Sequence, residues 1–215
     1  MLLESLKKLI QPGDKLIYQR FNAQVQILKG AIVLLNRMLN CNNEDELKEL
    51  AAEVRLLYLN SVDAYRINTA HLAKTFITPI DRESVHELYI RLHGACRGVY
   101  LTSRSLSWML AEIKDKELVQ MGQILLNGAD ELESLIYSVE TPEKYSLMKH
   151  ALQMHGIRRE MDMAYEQALK KLYEEEHNPA GFIKRHEIFS ALRNATETCK
   201  EIAHTGENIY LTNVG

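Results

Sequence analysis

Apolar residues recur along most of this chain at steps of three and four. Leu147, Ala151, Met154, Ile157, Met161, Ala164, Ala168 and Leu172 form one such stripe, the spacing of one face of an α-helix. The run 143–176 predicts a single helix about 50 Å long at the usual rise per residue. Leu47, Leu50, Val54, Leu57, Ser61, Tyr65, Thr69, Leu72 and Phe76 draw a second stripe with a more polar centre. Alternating strand patterns and hairpin turns are missing from the sequence. The pattern therefore predicts an all-α protein of six long helices, at about 14–40, 44–76, 80–113, 116–138, 142–176 and 180–212.

Start signals place these helices. Asn43 precedes Glu44-Asp45-Glu46, an Asn cap followed by acids that suit the positive end of the helix dipole. Thr78-Pro79, Thr141-Pro142 and Asn178-Pro179 each set a capping side chain before proline at the first helical position, where its missing N–H costs nothing. The break near Lys114-Asp115 carries no glycine or proline and has the weakest signal. Ten glycines and four prolines in 215 residues are too few breakers for a sheet protein with many turns.

Composition narrows the class. The chain is 46% hydrophobic and 26% charged, which excludes wholesale disorder. A net charge of −3 gives no global field for nucleic acid or for cationic partners. Cys41, Cys96 and Cys199 lack CxxC spacing and read as reduced thiols. The longest apolar run is Ala31–Leu35, far short of the ~20 residues that cross a membrane. The amphipathic start, Met1 to Ile10, is too short for a secretion signal. These readings lead us to expect a cytoplasmic protein. Leu2, Leu3, Leu6, Leu9 and Ile10 form a short apolar face suited to the protein's own bundle, a dimer mate or a lipid surface.

An internal repeat lies at an offset of 100. His86-Glu-Leu-Tyr-Ile-Arg-Leu-His-Gly-Ala95 aligns without a gap on His186-Glu-Ile-Phe-Ser-Ala-Leu-Arg-Asn-Ala195, and Pro79 and Pro179 share the offset. Duplication predicts two related three-helix bundles, 1–114 and 115–215, each burying its own stripes. Asp63 and Asp162 stand at nearly corresponding places in the helices before the repeated ones.

Phe76-Ile-Thr-Pro-Ile-Asp-Arg-Glu83, with the opening Pro12-Gly-Asp-Lys-Leu-Ile-Tyr-Gln-Arg-Phe21 and the segment Leu172-Tyr-Glu-Glu-Glu-His-Asn-Pro179, resembles the PhoU-like proteins associated with low-affinity phosphate (Pit) transporters. The resemblance spans essentially the whole chain and is specific only in the first of these segments. It implies two repeated three-helix bundles and a regulatory, non-catalytic role near phosphate uptake. It also implies metal sites, since some PhoU-like proteins hold metal clusters on acidic motifs in both bundles. This chain departs from that pattern. His93, Gly94 and Arg97 in the first bundle, and Arg193, Asn194 and Glu197 in the second, stand where acids are expected. Asp63 and Asp162 resemble retained aspartates, but Leu59 and Arg158 hold the acid positions four residues before them.

Counting from the turns sets heights in each hairpin. Asp63 lies 16 residues before Pro79, with His93 and Arg97 14 and 18 after it; Asp162 lies 17 before Pro179, with Asn194 and Glu197 15 and 18 after it. Asp63 is thus expected near His93 or Arg97, and Asp162 near Asn194 or Glu197, provided the faces match. As metal candidates, Asp63, His93, Asp162 and Glu197 are a poor set, because a neighbouring guanidinium repels a cation. A polar tie between helices is the simpler reading, with a divalent or iron-type ion as the alternative. His86-Glu87 and His186-Glu187 lack the second His of a zincin, since Ile90 and Ser190 fill that position. Glu174-Glu175-Glu176 reads as a solvated helix end. No phosphate loop or nucleophile motif occurs.

The expected function is that of a non-enzymatic, PhoU-like accessory protein of phosphate transport. Its partner would be a Pit-type transporter or a signalling protein, with peripheral membrane contact at most and a homodimer as an option. The alternative is a metal-binding helical bundle.

Overall fold

A computed structural model describes residues 12–75, 80–109, 115–140 and 144–214. Among them the chain forms six α-helices and no strand: α1 (Pro12–Asn40), α2 (Glu44–Lys74), α3 (Arg82–Met109), α4 (Lys116–Glu140), α5 (Lys144–Glu175) and α6 (Pro179–Val214). The all-α reading with six long helices is correct. Thr78-Pro79 and Thr141-Pro142 lie outside the described residues.

The caps explain the observed starts. Asn43 is extended, and its side-chain oxygen accepts from the amides of Asp45 (2.9 Å) and Glu46 (3.3 Å). Asn178 accepts from the Ala180 amide at 3.1 Å, with Pro179 as the first helical residue. The start of α3 differs from the expected position 80. Asp81 captures the amide and hydroxyl of Ser84 at 2.8 and 2.9 Å, so the helix opens at Arg82. The hydrogen bond donated by the Ser84 amide is the main cause that holds the Asp81 carboxyl below its ordinary range. At the unmarked break, Val119 donates to the Asp115 carbonyl at 3.4 Å, and the Asp115 carboxylate accepts from Arg185 at 2.9 Å.

Helices α1, α2 and α3 pack on one another, as do α4, α5 and α6; α1 also packs on α4, and α3 on α6. The four inner helices thus form a ring, with α2 and α5 outside. One continuous apolar core runs through all six, including Phe21, Leu28 and Leu35 from α1, Leu125 and Leu132 from α4, and Ile202 and Ile209 from α6. Lys29 ties α1 to α4 through Asp130 (2.7 Å) and Glu133 (2.6 Å), while Arg91 ties α3 to Glu201 of α6 (2.9 Å). The bond to Asp130 is the main cause of a raised Lys29 pKa.

Removing the clearest cap tests this account of helix starts. Asn43→Ala should lower unfolding stability by about 1 kcal/mol, read as a lower denaturation midpoint at unchanged slope. Asn43→Asp should retain most of it.

Candidate functional site

The two hairpins α2–α3 and α5–α6 carry the residues singled out by the sequence, and they treat them differently. In the first, Asp63 is exposed and makes no hydrogen bond or ion pair with His93 or Arg97 among the described residues. Ser61 takes that place, its hydroxyl sharing a 3.1 Å hydrogen bond with His93 Nδ1. Counting from the turn predicts height correctly but not facing: two residues turn a helix by about 200°. Asp63 therefore points away from the face that Ser61 presents. The expected tie through Asp63 is not made.

His93 instead lies in a ladder of rings along the α2–α3 groove. Tyr100 stacks on Tyr58 with centroids 4.7 Å apart and planes within 1°. Tyr58 and Tyr65 both stack on His93, at 5.9 and 5.2 Å. Tyr65 then meets His86 at 6.4 Å. Burial, reinforced by the Arg97 charge, pushes the His93 pKa below its ordinary value, so the imidazole is held neutral between the tyrosines. Apolar packing with offset stacking is the gain such a ladder provides.

In the second hairpin the structure does bring Asp162 and Glu197 together, around Arg158. Arg158 pairs through Nη1 with Asp162 and through Nε with Glu197. Arg193 donates to Asp162 at 2.8 Å and Lys200 to Glu197 at 3.2 Å. Asn194, the other expected neighbour, is exposed. The bond from Arg158 is the main cause that holds the Asp162 carboxyl below its ordinary range. Burial pushes the Glu197 carboxyl up, but Arg158 and Lys200 together outweigh it and hold it down. The guanidinium of Arg193 also rests over Tyr165, 4.9 Å from the ring centre.

The donor set does not fit a metal. Asp162 and Glu197 are two carboxylates already engaged by three cationic side chains, while a hard cation asks for six or more oxygens. In the first hairpin His93 has Ser61 and two aromatic rings around it. No group of three or more His, Cys, Asp or Glu suited to an ion occurs among the described residues.

Sequence reasoning missed the tyrosines and Ser61, although the repeat contained the signal. Tyr65 and Tyr165 differ by 100, as do His93 and Arg193, and each Tyr meets its own partner. The repeat thus runs at one offset through both helices of the hairpin. At that offset Asp162 corresponds to Val62, not Asp63. Glu176 also departs from the solvated reading: it pairs with Arg185 and accepts from the Asn178 amide at 2.8 Å. Burial pushes the Cys96 thiol up to about 11 and the Cys199 thiol to about 12.

Two measurements test these electrostatics. Arg158→Met should cost about 1–2 kcal/mol at pH 7, between the surface and buried limits for ion pairs. Asp162 and Glu197 have lowered folded pKa values, so the stability they lend is present above about 3.8 and 4.5 and is lost as the pH falls below. The gap between Arg158→Met and wild type should therefore narrow in acid. His93 is also lowered, so its contribution is present above about 6.5 and is lost as the pH drops toward its folded value. Urea midpoints at a series of pH values from 7 to 5 should fall less steeply for His93→Gln; an identical slope would remove His93 from the account.

No family model matches the chain. It is 23% identical over 171 residues to UPF0111 protein YkaA of Bacillus subtilis (strain 168), across 80% of this chain and 83% of that protein. It superposes on a PhoU-like protein from Shewanella oneidensis with a TM-score of 0.82 and 13% identity, covering 91% of this chain and 99% of the other. A protein of the same organism assigned as a PhoU-like phosphate regulator gives 0.80 at 13% identity, with the same coverage. PhoU from Pseudomonas aeruginosa gives 0.70 at 14%, covering 94% and 97%. The six helices and their order of packing are those of the PhoU-like fold.

Proposed function

We propose that this protein is a regulatory or accessory protein of inorganic phosphate transport, and that it acts by binding a transporter or signalling partner rather than by catalysis. The observation that carries this reading is the likeness of nearly the whole chain to PhoU-like structures, one of them assigned as a phosphate regulator. The side-chain chemistry supports it. In the α5–α6 hairpin the acids and bases neutralise one another, and the buried thiols are protonated. Such groups hold a surface in shape but offer no poised acid, base or nucleophile.

No helix among the described residues is long and apolar enough to cross a membrane. In our reading the protein works from the cytoplasmic side on a Pit-type permease, changing the state of that partner by contact between helices. Phosphate enters this reading through the partner.

Co-expression with the Pit-type permease of the same genome tests it directly. A tagged permease, solubilised in mild detergent, should retain this protein through washing. Loss of the protein should also change the rate of labelled phosphate uptake. Absence of both effects, with both proteins present in the membrane extract and the cytosol, would overturn the reading.

A further inference from the structure

The two hairpins are related by the repeat, yet they differ in how their cations are used. Around the α5–α6 groove Arg158, Arg193 and Lys200 each have a carboxylate. Around the α2–α3 groove Arg55, Arg66, Arg97 and Arg104 are all exposed, and none makes an ion pair among the described residues. Their placement follows from helix geometry. Arg55 precedes Tyr58 by three residues and Arg66 follows Tyr65, so both lie on the edge of α2 that borders the ring ladder. On α3, Ile90, Gly94, Arg97, Leu101, Arg104 and Trp108 follow steps of four and three, a single stripe on one face.

That stripe faces outward between α2 and α6. Ile90 is 45% exposed, Leu101 40% and Trp108 66%, and Gly94 and Gly98 are open enough that an added Cβ would meet nothing within 4 Å. Beside the glycines a cavity of about 230 Å³ opens between α3 and α6, floored by Leu28 and Ile32. From His86 to Trp108 the face is about 33 Å long. Carboxylates on these two helices do not pair with it: Glu87 is taken by Arg91, Glu83 lies at the start of α3, and Asp63, three residues before Arg66 on α2, makes no ion pair with it among the described residues.

We propose that this face of α2 and α3 is the docking surface for an acidic amphipathic helix of a partner protein. This deepens the reading above, since it rests on the protein acting through a partner. Four uncompensated guanidiniums call for carboxylates, and Arg is the cation suited to hold them by paired hydrogen bonds. The apolar stripe and the cavity at Gly94 and Gly98 receive the partner's apolar seam, as in other helix-in-groove contacts. A second copy of this chain fits poorly, because an antiparallel pairing of the stripes adds guanidinium to guanidinium. A lipid surface fits less well, because Trp108 is the one ring that stands out from this face, while the tyrosines of the ladder lie half-buried within the groove. The net charge of −3 opposes a long polyanion such as RNA.

Trp108 is the only tryptophan in the chain, and it ends the stripe, so its emission reports occupancy. The purified protein is titrated with a synthetic helical peptide of leucine heptads flanked by glutamates, with its lysine counterpart, with vesicles containing phosphatidylserine, and with single-stranded RNA. The expected result is a saturable emission change with the glutamate peptide and none with the lysine peptide. Affinity should drop at least tenfold in R97E/R104E, while Arg159→Glu on α5 binds as wild type; thermal midpoints confirm that both variants are folded. No saturable change with the glutamate peptide, equal binding of the lysine peptide, or tighter binding of vesicles or RNA would each overturn the proposal. The permease capture separates the two readings. If R97E/R104E is retained as well as wild type, this surface falls and the function stands. If wild type is not retained while the peptide binds through Arg97 and Arg104, the permease reading falls and this surface stands.

Discussion

The packing of α4 constrains everything else in this molecule. It touches α1, α5 and α6, and its buried residues cover most of its circumference, from Leu118 and Met121 through Leu132 to Val139. Two glycines mark where its neighbours come closest. A Cβ on Gly122 would lie 2.5 Å from Leu39 and 2.7 Å from Asn36 of α1; one on Gly206 of α6 would lie 2.9 Å from Leu135. Gly128 faces Ile157 of α5 at an ordinary 3.5 Å. With these helices drawn in, the apolar residues of both halves form one core, and Lys29 and Arg91 close the seam at its rims.

Once the inner ring is fixed, the outer helices α2 and α5 have one face each to bury and one groove each to fill. The repeat supplies the same backbone twice and two different solutions. In the first hairpin rings stack around His93, and burial there favours its uncharged form. In the second, Arg158 stands where the first has Tyr58, Arg193 where it has His93, and Lys200 where it has Tyr100. Each added cation is matched by Asp162 or Glu197. A single change such as Asp162 alone would leave a half-buried charge without a partner, which is costly. The five residues make sense only as a set.

Much of the architecture was legible in the sequence because helical period and caps are local properties. The stripe from Leu147 to Leu172, the Asn43 cap and the Asn178-Pro179 start all depend on residues a few positions apart. The approach of Asp162 to Glu197 could be read by counting from a turn, since antiparallel helices rise at equal rates. Asp63 could not, because counting yields height along the axis and leaves rotation about it free. The packing role of the glycines was not legible for a related reason. No described glycine has a positive φ, and Gly122, Gly128 and Gly206 all sit within helices. Their use lies in contacts with residues far away in the chain, which no local pattern encodes.

Duplication also explains how one small chain can be both stable and charged on one face. Exposed guanidiniums that make no ion pair bear their mutual repulsion. In the first hairpin that repulsion falls on exposed positions, where water screens it and the cost per pair is small. His93 in the ladder beneath adds no charge to it, because burial holds the imidazole neutral. In the second hairpin the half-buried cations are matched at once, where screening is weaker and an orphan would be expensive. Within the two hairpins the division follows exposure: the charges that remain unpaired are ones water can screen, and those drawn between α5 and α6 come with their carboxylates.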